Sequence, residues 1–123
     1  MKIYARLKPQ RKTRLKKVSL MSRQDGLFVV FDGPNGVGKT TLVNEVATQL
    51  RQQGYNVLAT KEPTRSPLGQ FVRNAEEKCR GKTLAYLVAA DRQFHLEQEI
   101  LPALDRGMIV LSDRYIPSSL VLQ

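Results

Sequence analysis

Gly33-Pro34-Asn35-Gly36-Val37-Gly38-Lys39-Thr40 fits the spacing G-x-x-x-x-G-K-[ST], the phosphate-binding P-loop pattern. The chemistry it suits is the capture of an anion. Glycines allow positive φ and close backbone approach, so successive N–H groups can turn inward with no Cβ in the way. A helix opening near Lys39 adds its positive end. Lys39 is spaced to reach the β- and γ-phosphates of a nucleoside triphosphate and the Thr40 hydroxyl to hold Mg²⁺. The expected cradle comprises Gly33, Pro34, Asn35, Gly36, Val37, Gly38, Lys39, Thr40 and Thr41. An ordinary strand-to-helix turn is the competing reading, but all four fixed positions and both flanks favour the cradle.

A second group follows a later apolar run, at Asp113-Arg114-Tyr115. An acid just past a strand in a protein with this loop is placed to act on Mg²⁺, directly or through water. Arg114 beside it supplies a permanent bidentate cation for the transferring phosphates. The plainer alternative is that Asp113 and Arg114 pair with each other. A third group, Asp91, Arg92, His95 and Glu99, gathers on one stripe of a helical pattern. Buried charge is costly unless paired or used, so the stripe is expected to line a cleft. A solvent-facing stripe with Asp91 pairing to His95 within the helix is the alternative. With no second His or Cys nearby, His95 reads as a helix-surface or packing residue rather than a ligand.

Several elements must position these groups. Residues 27–31 are a continuous apolar run, as in a central strand covered on both faces. After the loop, Val43, Val46, Ala47 and Leu50 recur at helical spacing and Gly54 marks a stop. Residues 56–60 read as a second strand, so the unit is βαβ with a parallel sheet and a right-handed crossover. Glu62-Pro63-Thr64-Arg65-Ser66-Pro67 cannot continue that strand and forms a loop at its C-terminal end, where open α/β sheets keep their ligands. A helix over 68–78 carries Arg73, and a long one over 82–105 is apolar nearly all round and therefore buried. Residues 108–111 form a third strand. A last helix is expected to begin at Pro117-Ser118, with proline in a permitted first-turn position.

The chain of 123 residues has a formal charge of +9. That excess is local, since residues 1–23 carry nine basic side chains and no acid, leaving eleven basic against eleven acidic residues. The segment 1–23 reads as a basic, poorly ordered tail. It is either an arm for nucleic acid or an anionic surface, a transit peptide, or an extension upstream of a start at Met21, the reading favoured here. Cys79 is the single cysteine, which excludes a disulfide framework and suits a reducing cytoplasm. No apolar run approaches the roughly 20 residues of a membrane helix.

From residue 26 to 123 the sequence resembles thymidylate kinase and related nucleoside monophosphate kinases. The resemblance is carried by Phe31-Asp32-Gly33 into the loop, Glu62-Pro63, Ala89-Ala90-Asp91-Arg92, Ile100-Leu101-Pro102-Ala103-Leu104 with Gly107, and Asp113-Arg114-Tyr115 followed by Ser118-Ser119 and Gln123. It implies an α/β fold of the P-loop NTPase type, a three-layer α/β/α arrangement with a parallel sheet that is incomplete at the C-terminus. Residues 24–123 would then be the N-terminal portion of a kinase domain. The implied reaction moves the γ-phosphoryl of Mg·ATP to a deoxynucleoside monophosphate, dTMP or a related acceptor.

By motif position, Lys39, Asp113 and Arg114 would be catalytic and Thr40 and Asp113 would hold the metal. Glu62, Arg65, Arg73, Val88, Arg92, Arg114 and Ser119 would meet the acceptor. Asn35, Val88 and Leu122 stand where the family usually has an acid, a phenylalanine and a tyrosine, all in the acceptor pocket. Relatives often pair as homodimers through their helices. The alternative function is an inactive kinase-derived fragment whose basic tail binds nucleic acid, through contacts that salt would weaken steeply.

Overall fold

The computed structural model describes residues 1–7, 26–34 and 36–115. Its elements are β1 (Lys2–Leu7), β2 (Leu27–Gly33), α1 (Lys39–Gln52), β3 (Val57–Glu62), α2 (Pro67–Ala75), α3 (Gly81–His95), a π-helical turn (Leu96–Ile100), α4 (Leu101–Asp105) and β4 (Ile109–Tyr115). The four strands form one sheet in the order β1-β2-β4-β3. β2, β4 and β3 run parallel, and β4 lies between the two strands that α1 connects.

Alternation along the parallel strands divides the core in two. Phe31, Val57, Ile109 and Leu111 face α1 and pack with Val43 and Ala47. Val110, with Phe28 and Leu58 beside it, faces the other way and packs with Ile100, Ala103 and Leu104. Two helical layers thus enclose the sheet, as the α/β/α reading expects.

The expected disorder of residues 1–23 does not hold at its beginning. β1 pairs antiparallel with β2, from Lys2 opposite Asp32 to Leu7 opposite Leu27, so the sheet is mixed rather than purely parallel. The physical reason lies in β2, whose side away from β4 presents a row of unpaired N–H and C=O groups, and an antiparallel edge strand satisfies them. Residues 8–25, including Met21, and the helix expected near Pro117 lie outside the described residues, as do Asn35, Ser119 and Leu122.

Both ligand-bearing strands run further than their apolar residues. β3 continues through Glu62 because a residue preceding proline is held in the extended region. β4 continues through Ser112, Asp113 and Arg114 because β2 and β3 supply ladder partners on both sides. The helix expected over 82–105 is interrupted by the π turn at Leu96–Ile100. Pro102 lacks an N–H and its ring presses on the carbonyl four residues earlier, so a wider turn relieves the strain. Nor is this helix buried all round: Leu84, Ile100 and Leu104 are, whereas Tyr86, Phe94 and Leu101 are exposed. α2 starts at Pro67, with the Ser66 hydroxyl accepting from Gly69 N at 3.1 Å, a serine cap followed by proline in the first turn.

Candidate functional site

Two clusters occupy the C-terminal ends of the parallel strands, and strand alternation assigns them to opposite faces. Lys61 and Asp113 are register partners on the face toward α1. Glu62 and Arg114, the next register pair, are on the face toward α3.

The first cluster is built on the junction between β2 and α1. Gly36 and Gly38 have φ of +87° and +79°, a region that costs an L-residue about 1–2 kcal/mol. Gly38 in this conformation caps α1, and no heavy atom lies within 4 Å of where a Cβ would stand at either glycine. That open space is what an anion cradle needs. Gly33 ends β2, Pro34, Gly36, Val37 and Gly38 are exposed in the loop, and Thr40 and Thr41 lie exposed in the first turn of α1. Lys39 is buried, at 4% exposure. Its Nζ lies 2.7 Å from Asp113 Oδ1, and the Thr40 hydroxyl donates to Asp113 Oδ2 at 2.9 Å. Lys39 and Thr40 thus both meet Asp113, which pairs with Lys39 rather than with Arg114.

A hydroxyl and a carboxylate side by side are hard oxygen donors of the kind Mg²⁺ takes. Among the described residues no group of three His, Cys, Asp or Glu side chains is arranged as a metal cage.

The second cluster centres on Glu62, buried at the end of β3. Its Oε1 accepts from Arg92 Nε at 3.0 Å and lies 3.1 Å from Arg114 Nε. Its Oε2 is 2.7 Å from His95 Nδ1. Burial pushes the Glu62 carboxyl up, but the His95 hydrogen bond, the Arg114 charge and the Arg92 contact together outweigh it and bring the pKa to about 2. Glu62, Arg92 and Arg114 are brought together; Val88 lies half-buried on α3, a turn before Arg92.

The loop after β3 is fixed from α3. The buried Asp91 carboxylate accepts from Thr64 N at 2.8 Å and from Thr64 Oγ1 at 2.6 Å, and Thr64 Oγ1 also meets Ser66 Oγ at 2.6 Å. Arg73 on α2 donates to Pro63 O at 3.1 Å, while Arg65 is exposed. The stripe of Asp91, Arg92, His95 and Glu99 thus resolves differently from the expectation. Only Glu99 lines the cavity described below, and Asp91 and His95 are buried partners of β3 and its loop rather than of each other.

A cavity of about 230 Å³ opens between α1 and this loop, lined by Thr40, Asn44, Lys61, Arg65, Glu99 and Asp113 among others. Lys61 was not singled out in the sequence. Burial, then the charges of Arg73 and Arg65, push its ammonium below the ordinary lysine value, with Asp113 pulling the other way. The signal was its position one residue before Glu62, which places it on the opposite face of β3. His95, read in the sequence as a helix-surface or packing residue, is the latter. Its spacing from Arg92 was visible, but a lone histidine carries no sign of burial, and here it is 1% exposed.

A family profile described as thymidylate kinase matches residues 31–123. The thymidylate kinase of Thermomicrobium roseum is 46% identical over 99 residues, 78% of this chain and 47% of that protein. That of Bacillus pumilus is 42% identical over 103 residues, 80% of this chain and 49% of that protein. The crystal structure of thymidylate kinase from Ehrlichia chaffeensis superposes with a TM-score of 0.59 at 34% identity, covering 70% of this chain and 49% of that one. The chain spans about half the length of these relatives.

Proposed function

The chain belongs to the thymidylate kinase family, and from that premise we propose that it takes part in ATP-dependent phosphoryl transfer to a deoxynucleoside monophosphate, dTMP or a closely related acceptor. The observation that carries this reading is the placement of two cationic clusters at the same ends of the strands, one on Asp113 and one on Glu62.

The geometry supports a division of labour. The loop from Gly33 to Thr41 supplies backbone donors for the phosphates of ATP, and Lys39 exchanges part of its contact with Asp113 for phosphate oxygens. Thr40 and Asp113 would hold Mg²⁺, which supplies neutralisation of the charge spread over the phosphates. Arg92, hydrogen-bonded through Nε to Glu62, and Arg114, ion-paired with the same oxygen, offer their remaining nitrogens to the acceptor, with Arg114 meeting its phosphate. Arg65, Arg73, Val88 and Ser119 complete the acceptor side. An oxygen of the acceptor phosphate attacks the γ-phosphorus, the bond to the β-phosphate oxygen breaks, and ADP and a nucleoside diphosphate result. Such a transition state asks for positioned cations and little covalent chemistry from the protein.

The exposed Tyr86, Phe94 and Leu101 on α3 and α4 support pairing with a second copy. No helix among the described residues is long and apolar enough to cross a membrane, and the single Cys79 suits the cytoplasm.

The test is direct observation of products. Incubation of the chain with Mg·ATP and dTMP, followed by ³¹P NMR, should show ADP and the nucleoside diphosphate accumulating together. Calorimetric titration should show both nucleotides binding. Binding of Mg·ATP with no binding of, and no transfer to, dTMP, dUMP or dCMP would sink the proposal.

A further inference from the structure

Glu62 accepts a hydrogen bond from Arg92 Nε on Oε1 and meets His95 on Oε2, while the buried Arg114 Nε lies 3.1 Å from Oε1 as an ion pair without a hydrogen bond. This division matters because the terminal torsion of a glutamate is soft, with broad, roughly two-fold preferences. A carboxylate held only through Oε1 can turn about that torsion and release either guanidinium. A contact of 2.7 Å at Oε2 removes the freedom.

The imidazole is itself fixed. An ionised carboxylate only accepts, so Nδ1 facing it carries the proton, and in the neutral ring Nε2 is left as an acceptor. Thr60 Oγ1 lies 2.7 Å from that Nε2, on the same strand and the same face as Glu62. Glu99 Oε2 is further off, at 3.8 Å. His95 is thus wedged between two residues of β3, fully buried. It is also the last α-helical residue before the π turn, and π turns are frequent at functional sites.

We propose that His95 is a positioning residue for the acceptor side: by fixing the Glu62 carboxylate it sets the guanidinium planes of Arg92 and Arg114 toward the monophosphate. The role rests on the proposed reaction only for what the arginines bind. The clamp itself is a property of the chain alone, and the two are separable by experiment. A merely structural His95 would affect stability and every ligand alike. A positioning His95 affects the monophosphate selectively.

The experiment compares the chain with its His95→Ala and His95→Asn variants, the asparagine amide being able to take the place of Nδ1–H. The first readout is exchange with water of the Arg92 Nε proton, the one hydrogen-bonded to Glu62 Oε1, followed by ¹⁵N NMR without nucleotide. Exchange should quicken in His95→Ala and return toward that of the original chain in His95→Asn. The second is calorimetric titration with dTMP and separately with Mg·ATP. The dTMP dissociation constant should rise roughly tenfold to a hundredfold in His95→Ala, as expected for misplaced contacts, with Mg·ATP unchanged and asparagine restoring most of the loss.

Unaltered arginine proton exchange in His95→Ala overturns the positioning role, whatever the nucleotides do. So does an equal loss of affinity for both nucleotides. If His95→Ala does not fold, His95→Asn decides: arginine exchange at the rate expected of free guanidinium groups, in a folded His95→Asn chain, overturns the proposal. Failure of the unsubstituted chain to bind either nucleotide would instead overturn the proposed reaction, and the proton exchange would still decide the clamp.

Discussion

Lys39 Nζ and Asp113 Oδ1 lie 2.7 Å apart, tying the first turn of α1 to the C-terminal half of β4. The same carboxylate accepts from Thr40 Oγ1, so one acid orders both side chains that the loop pattern names. Replacing Lys39 by alanine leaves Asp113 its threonine partner and some access to water. The Lys39→Ala chain is therefore expected to fold, with a thermal midpoint close to that of the original. Phosphoryl transfer should fall about a hundredfold to a thousandfold, the usual cost of a lost charge stabiliser. Calorimetry and product formation measured on one preparation check both halves, and unchanged turnover would refute the loop assignment.

Acid should loosen the second cluster. The Glu62 pKa lies at about 2, below its ordinary 4.5. A depressed carboxyl stabilises the folded chain above the unfolded value, and that stabilisation is lost as pH falls through the folded one. The window is therefore pH 4.5 down to about 2, and the amount is about 3 kcal/mol. Urea unfolding across that range should show the slope, and Glu62→Gln should flatten it. An unchanged slope in the variant would assign the acid sensitivity elsewhere.

Asp91 is a structural acid in a functional stripe. Its two oxygens receive the backbone N–H and the hydroxyl of Thr64. Asp91→Ala would leave the Thr64 N–H buried without an acceptor and the Thr64 hydroxyl with Ser66 Oγ alone to accept from it, a loss of about 2 kcal/mol. Limited proteolysis should then cut between residues 62 and 66, and a loop that stays resistant would contradict the assignment.

Lys61 should be unusually reactive. Its ammonium is pushed down by burial and by Arg73 and Arg65, so more of the neutral amine is present at mildly alkaline pH than for an ordinary lysine. Brief acetic anhydride labelling at such pH, followed by mass spectrometry, should modify Lys61 ahead of the exposed Lys78 and Lys82. Tripolyphosphate should protect it, because the cavity it lines also holds Thr40 and Arg65. Labelling in simple order of exposure would count against this electrostatic picture.

Local chemistry made much of the fold legible. The glycine spacing before Lys39, the apolar run over 27–31 and the recurrence of Val43 and Ala47 are short-range signals, and each led to the element now seen. The helix expected from residue 68 begins at Pro67, within a residue of that reading. The same short-range signals singled out Lys39, Thr40, Asp113, Arg92 and Arg114 as candidates.

Partnerships across the sheet were not. Sequence left Asp113 free to pair with Arg114, and only the strand order β2-β4-β3 brings it to Lys39 while leaving Arg114 to Glu62. It also left His95 undecided between a helix-surface and a packing residue, because burial depends on which face of α3 meets β3, and one histidine has no period from which to read it. The strand at Lys2–Leu7 was hidden among basic residues, since its order comes from the unpaired edge of β2 and not from its own composition. The sequence by itself determined which charged and hydroxyl side chains accompany the glycine-rich loop, because those are properties of residue type and close spacing. Tertiary structure alone decided which acid holds which cation, because that depends on strand order and side-chain alternation between segments distant in the chain.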